Sequence, residues 1–418
     1  MRENIRKKAV LFLVVLAFGV TLTACGRREG GENAEAGILE EVLEEDTDGG
    51  AEESDNAEET GEGSPDAPER ASADLPAGDG AEAADGELQE MFGADCIAAQ
   101  TFSVSLSEYG GEVWFVPFAP SAENPEFRMQ IIQDGEILQE IAGYVPDRLA
   151  GKAFDSLDAV SFYDVNFDGC TDIVLIETYG GTAFAAVYYG FPHDAVGVYE
   201  RTFTVQEALS DGITAQAGEL SISGIRSFLT EGKKNGAFGD YREAYRAVGR
   251  LCALEGMTGF DLIYFDADEI PELVAGNEGY CVSLYTYEAG TVYRLMDRWP
   301  YGAMGNAGYE YCARKNSLRN VNNDFAGAIL YTTYMAADSR HTLDIVVQIE
   351  TYNFDDANGN GMPDPEEEGS IGCYGVSYID GREASDAECA SYAAGEYTYM
   401  EGSMSLEELQ KRLESSVG

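Results

Sequence analysis

Twice in this chain, oxygen-bearing side chains recur at every second position and a glycine directly follows the third of them. The first run is Asp164, Asn166, Asp168 and Gly169, with Asp172 beyond. The second is Asp356, Asn358, Asn360 and Gly361, with Asp364 and Glu367 beyond. Alternate residues of a tight loop can aim their oxygens inward, and a glycine at the sixth position permits the sharp turn this requires. The spacing therefore predicts two closed loops rich in hard oxygen donors, with the main-chain carbonyls of Cys170 and Met362 as further ligands at the seventh position. Calcium takes six to eight such oxygens at about 2.3–2.6 Å. The second run meets the full loop template, with Glu367 as the bidentate carboxylate at its end. Given the abundance of Asp, Asn and Gly in the chain, one such run arises by chance with odds of roughly three in a thousand, so two are no accident.

The surrounding pattern is that of strands. Between Thr101 and Val187 the runs TFSVSL, EVWFVPF, RMQIIQ, EILQEIAGY, DIVLIE and AFAAVYY are short and rich in β-branched and aromatic residues. Gly, Pro and Asp bound them, as expected of strands. Helical periodicity appears over Ile222–Leu254, where Asp240 and Glu243 form a capping pair and Tyr241, Ala244, Tyr245, Val248, Leu251 and Cys252 share one face. Strand runs resume at Asp261–Phe265, Cys281–Tyr287, Ala328–Tyr334 and Leu343–Phe354, and Ile379–Arg382 reads as a hairpin turn. Ser385 with Glu388, and Ser405 with Glu408, open two short C-terminal helices. The expected fold class is α+β and β-rich, with two mainly antiparallel β domains, about 91–215 and 216–418, and a few helices.

Ahead of these domains the chain changes character. Residues 1–25 carry Arg2, Arg6, Lys7 and Lys8 before an apolar run, Ala9 to Val20, that is too short to span a bilayer. Residues 26–90 hold 23 acidic and three basic side chains, a charge of −20 out of −50 for the whole sequence. Like charges repel and little there can be buried, so this stretch reads as an extended, disordered acidic tether. A nucleic-acid partner is excluded on charge, since phosphate contacts need clustered Lys and Arg. Apart from Cys25 there are seven cysteines without close pairing, which predicts mostly buried thiols and neither a zinc site nor a redox motif.

Three segments resemble known families. Leu22-Thr23-Ala24-Cys25 resembles the lipobox of bacterial lipoproteins, which implies cleavage before Cys25, lipidation of its sulfur and a membrane anchor on the extracellular face of the cell. Asp164–Asp172, followed by Ile-Val-Leu-Ile, resembles the FG-GAP/VCBS loop of extracellular β modules. That likeness implies calcium ligation by Asp164, Asn166, Asp168, the Cys170 carbonyl and Asp172. Asp356–Glu367 is similar to EF-hand-like and thrombospondin type 3-like loops, with Asp356, Asn358, Asn360, Met362, Asp364 and Glu367 at the ligand positions. Its strand-like entry and glycine-rich exit lack the two helices of a calcium sensor, which points to structural calcium. Asp266-Ala267-Asp268-Glu269-Ile270-Pro271-Glu272-Leu273 looks like the first of these loops with two residues and the turn glycine missing, and is expected to serve as a strand-bounding turn.

Catalytic motifs are absent from the sequence: it has no H-E-x-x-H, nucleophile elbow or P-loop, and its two histidines, His193 and His341, have no obvious partner. The reading is a lipid-anchored, calcium-binding surface protein of structural or binding type, with an extracellular protein or glycan as ligand, and no enzyme. A carbohydrate-binding or glycan-hydrolysing protein using acidic residues near the aromatic stretch around Trp299 is the alternative. A solute-binding lipoprotein would need alternating β and α segments.

Overall fold

The computed structural model describes residues 81–106, 109–191, 203–303, 305–360, 362–364, 367 and 374–415. Cys25, the apolar leader, His193 and Cys373 lie outside them. Helix α1 (Ala81–Phe92) starts inside the stretch assigned to the tether, so the end of that stretch is helical rather than extended. It leads into a four-stranded antiparallel meander of β1 (Phe102–Leu106), β2 (Gly111–Phe118), β3 (Arg128–Gln133) and β4 (Glu136–Ala142). A second meander follows, of β5 (Phe154–Tyr163), β6 (Asp172–Tyr179), β7 (Thr182–Gly190) and β8 (Phe203–Val205).

Three helices come next: α2 (Glu207–Gln216), α3 (Ile222–Thr230) and α4 (Tyr241–Leu254). The single helical stretch expected over 222–254 is split, because Glu231 takes a left-handed φ of 55° and the Gly232 N–H bonds back to the Arg226 carbonyl, a helix-ending arrangement. Asp240 restarts the helix by accepting from the Glu243 N–H, as its capping position requires.

A third meander comprises β9 (Gly259–Ile263), β10 (Glu272–Asn277), β11 (Cys281–Glu288) and β12 (Thr291–Pro300). The last sheet is built from β13 (Tyr309–Cys312), β14 (Ser317–Asp324), β15 (Ile329–Ala337), β16 (Leu343–Tyr352), β17 (Tyr374–Ile379) and β18 (Arg382–Ala384). After α5 (Asp386–Ala393), strand β19 (Tyr397–Tyr399) joins its β13 edge, and α6 (Leu406–Ser415) ends the described chain. The fold is β-rich with antiparallel sheets, 42% strand against 22% helix. The two C-terminal helices begin with Ser385–Glu388 and Ser405–Glu408, as their capping residues predict.

Alternation along the strands stacks these parts in layers. In β6, Ile173 and Leu175 face the first sheet, whereas Val174 and Ile176 face the helices. In β10, Leu273 and Ala275 face the same helices, and Val274 faces the last sheet. One cluster, from Val165 to Leu413, therefore runs across the expected boundary at 215, and the two β halves meet on a shared helical layer. Cys96, Cys252, Cys281, Cys312 and Cys389 are buried thiols rather than disulfides.

Candidate metal centre

Three loops each connect neighbouring antiparallel strands. Residues 164–171 join β5 to β6, 264–271 join β9 to β10, and 353–373 join β16 to β17. The first two are equal in length, since their closing pairs are Tyr163↔Asp172 and Ile263↔Glu272.

They also share a hydrogen-bond register. The Val165 N–H donates to Asp172 Oδ2, and the Phe265 N–H to Glu272 Oε2, both at 2.7 Å. The Asp168 N–H donates to Asn166 Oδ1 at 3.1 Å, and the Asp268 N–H to Asp266 Oδ1 at 3.0 Å. The N–H groups of Cys170 and Ile270 donate to Oδ1 of Asp168 and Asp268, again both at 2.7 Å. The third loop repeats the scheme: Asn360 N–H to Asn358 Oδ1 at 2.9 Å, Met362 N–H to Asn360 Oδ1 at 2.8 Å, and Ala357 N–H to Glu367 Oε1 at 2.8 Å. Asp356 and Asp164 match as well, accepting from the N–H groups of Asn360 and Asp168 at 3.0 and 3.2 Å. Asp and Asn side chains that bond main-chain N–H groups two residues on shape such turns with or without an ion.

The middle loop is the one where carboxylates converge. Asp266, Asp268 and Glu272 each offer an oxygen, and these lie within 4.8 Å of one another, a group that can hold a metal ion. Glu272 is fully buried, with Phe265 N–H on one oxygen and the Thr286 hydroxyl on the other at 3.3 Å. Burial, followed by the charges of Asp266 and Asp268, pushes its carboxyl up to about 8. Among the described residues no ion pair to this triad is formed; Arg314 turns instead to Glu269 and the Asp268 carbonyl. The two residues missing from the sequence template are filled by Tyr264 and Phe265, and the turn closes without the left-handed residues Phe167 (φ 62°) and Gly169 (φ 83°) of the first loop.

The first loop is organised differently. Asp172 is fully buried and gives both oxygens to main-chain donors, Val165 and, at 2.9 Å, Gly190 of β7. Asp168 gives one oxygen to Cys170 N–H and the other to the Arg294 guanidinium at 2.9 Å. Burial and the charge of Asp168 push Asp164 up to about 6. In the third loop, the Asn358 and Asn360 amides both donate to Asp364 Oδ2, and Glu367, 5% exposed, bridges Ala357, Asn358 and Asp364 through their N–H groups. Met362 carries a half-exposed side chain.

Neither a family model nor a curated protein matches the chain.

Outside the loops, the Trp299 ring lies 5.5 Å from Tyr309 at a tilted angle of 59°, and both pack with Tyr301 and Tyr311 on the cluster around Leu284 and Met335. Their rings are used in packing between the last two sheets. His341 stacks on Tyr293 at 3.8 Å and bonds Glu288 at 3.0 Å. The missing turn glycine disguises Asp266, Asp268 and Glu272 in the sequence, and no local spacing points to Arg294, which is 126 residues from its partner Asp168.

Proposed function

We propose that the chain is an exported, lipid-anchored protein of the extracellular cell surface, whose strand–loop–strand segments bind calcium and whose role is binding rather than catalysis. The observation that carries the metal part is the convergence of Asp266, Asp268 and Glu272 in a loop that shares its hydrogen-bond register with two sequence-recognised cation loops. All side-chain donors there are carboxylate oxygens, which suit a hard cation better than zinc, whose structural sites are built mainly from Cys and His. Calcium suits them better than magnesium, because irregular loops tolerate its larger, flexible coordination sphere. The export part rests on Cys25 and its lipobox-like neighbours; no helix among the described residues is long and apolar enough to cross a membrane.

Bound calcium would favour the ionised form of Glu272, which burial and then the charges of Asp266 and Asp268 disfavour. Cation uptake then releases the proton of that carboxyl below about pH 8, and calcium binds more tightly as pH rises towards that value. Thermal unfolding in calcium against chelator is the direct test. Calcium is expected to raise the midpoint, with part of the gain lost in Asp266→Asn and part in Asp356→Ala. Identical midpoints with and without calcium would end the proposal. The anchor is checked separately: lipid labelling of the exported chain should disappear in Cys25→Ser.

A further inference from the structure

Loops 164–171 and 264–271 have the same length and hydrogen-bond register, yet they treat the carboxylate at their fifth template position in opposite ways. Asp268 joins Asp266 and Glu272 in a group whose carboxylates form no ion pair among the described residues, Arg314 reaching only the Asp268 carbonyl and Glu269. Asp168 is paired with Arg294, which reaches it from β12. The pair is largely enclosed, with side-chain exposures of 13% for Arg294 and 10% for Asp168. Arg294 is held in place from its own strand too, since its other guanidinium nitrogen lies 3.5 Å from Asp297.

Both Asp168 oxygens are engaged, and the guanidinium takes the one that the Asn166 amide also uses. Oδ1 accepts from Cys170 N–H, and Oδ2 accepts from both Arg294 and the Asn166 amide at 3.1 Å. Asp172, the ninth-position donor, accepts from two main-chain N–H groups much as Glu272 accepts from Phe265 N–H and the Thr286 hydroxyl, so the guanidinium is what sets the two loops apart. A guanidinium and a divalent ion on one carboxylate oxygen repel each other strongly where water is excluded. One of them must leave. The guanidinium is the group already fixed there, by β12 and by Asp297.

We propose that Arg294 is the resident cation of the 164–172 loop, standing at Asp168 where a divalent ion would otherwise bind, so that this loop is closed without metal and is tied by an ion pair to the third sheet. The inference shares one premise with the proposed function, that these loops are built for cations. It assigns the divalent ion to the other two loops and a side chain to this one. Arg294 thus sets which copies of the loop respond to calcium, while the first copy keeps its geometry whatever the ion concentration.

The test is the number of calcium ions bound per chain, measured by equilibrium dialysis on the whole protein. Asp164→Asn in the otherwise unchanged chain is expected to leave that number as it was. Arg294→Gln is expected to raise it by one, and the double variant Arg294→Gln with Asp164→Asn to return it to the starting value. Loss of one calcium in the Asp164→Asn single variant overturns the proposal, as does a folded Arg294→Gln variant that gains none. If Arg294→Gln fails to fold, the Asp164→Asn variant alone decides. Calcium bound by the unchanged chain scores the proposed function independently: a protein that binds none, but gains one in Arg294→Gln, would refute the functional reading and uphold the role of Arg294.

Discussion

Glu177 has a fully buried side chain in β6, on the face that meets the first sheet, and neither of its carboxyl oxygens has a hydrogen-bond partner. Tyr179 stands close enough to moderate the effect without closing a bond, and its hydroxyl is likewise unpartnered. Burial raises the Glu177 carboxyl from 4.5 to about 8. A carboxyl whose folded value lies above its unfolded value binds more protons folded than unfolded between the two. Its contribution to stability therefore falls as pH rises from about 4.5 to about 8, by on the order of 5 kcal/mol in total. Glu177→Gln keeps the shape without the titration and should flatten that decline. Denaturant midpoints taken at acidic and at mildly alkaline pH would read this, and an unchanged pH profile in the variant would show that Glu177 is not its source. Phe167 shows the opposite economy of a buried residue. Its φ of 62° is a strained choice for an aromatic, and the phenyl that anchors it is 3% exposed and packs near Phe238 at 6.1 Å.

Helix α6 docks on α4 through Leu409 and Leu413, which are 0% and 2% exposed. Gly249 lets the helices approach closely: a Cβ there would lie 2.9 Å from a Leu409 methyl, which would have to shift. Removing that leucine side chain from a closed site leaves a cavity as well as losing apolar burial, so Leu409→Ala should cost about 2–5 kcal/mol. Urea unfolding would measure it, and a loss below about 1 kcal/mol would mean that α6 contributes little to the core. Elements of this kind were legible in the sequence, because a capping serine, a glutamate three residues on and leucines at helical spacing all agree. Strand β6 was legible for a similar reason, as an unbroken Ile-Val-Leu-Ile run buried on both faces. Strand β5 was not. Its register shifts against β6 between Phe154 and Ser156 and again between Leu157 and Ala159, so its apolar residues lose the period of two by which a strand is recognised. The loops divide in the same manner. Asp164–Asp172 and Asp356–Glu367 are local patterns, open to inspection residue by residue. The copy at 264–271 was obscured by Tyr264 where an acid was expected, and only the pairing of Ile263 with Glu272 reveals its full length. The Arg294–Asp168 pair joins distant parts of the chain, and no local spacing encodes it.

The formal charge of −50 is shared between a segment of −20 at residues 26–90 and a remainder of −33 from residue 91 onward, with the basic leader adding +3. Self-repulsion on that scale opposes folding, and it can be relieved in two physically different ways. Mobile salt screens all the charges alike, with a Debye length falling from about 30 Å at 0.01 M to about 10 Å at 0.1 M. A coordinated ion acts at one site, where it offsets the charge of clustered carboxylates at close range. The two mechanisms separate experimentally. If screening dominates, sodium chloride, magnesium and calcium at matched ionic strength should raise the unfolding midpoint by similar amounts, and the triad substitution Asp266→Asn should leave the increments equal. If the loops coordinate calcium, its increment should exceed that of magnesium, saturate as sites fill, and shrink in Asp266→Asn while the sodium chloride increment is preserved. The arrangement of Asp266, Asp268 and Glu272, close together with one of them buried and without an ion pair to their carboxylates among the described residues, favours the second outcome. Equal increments would instead assign the acidity of the folded part to its surface alone.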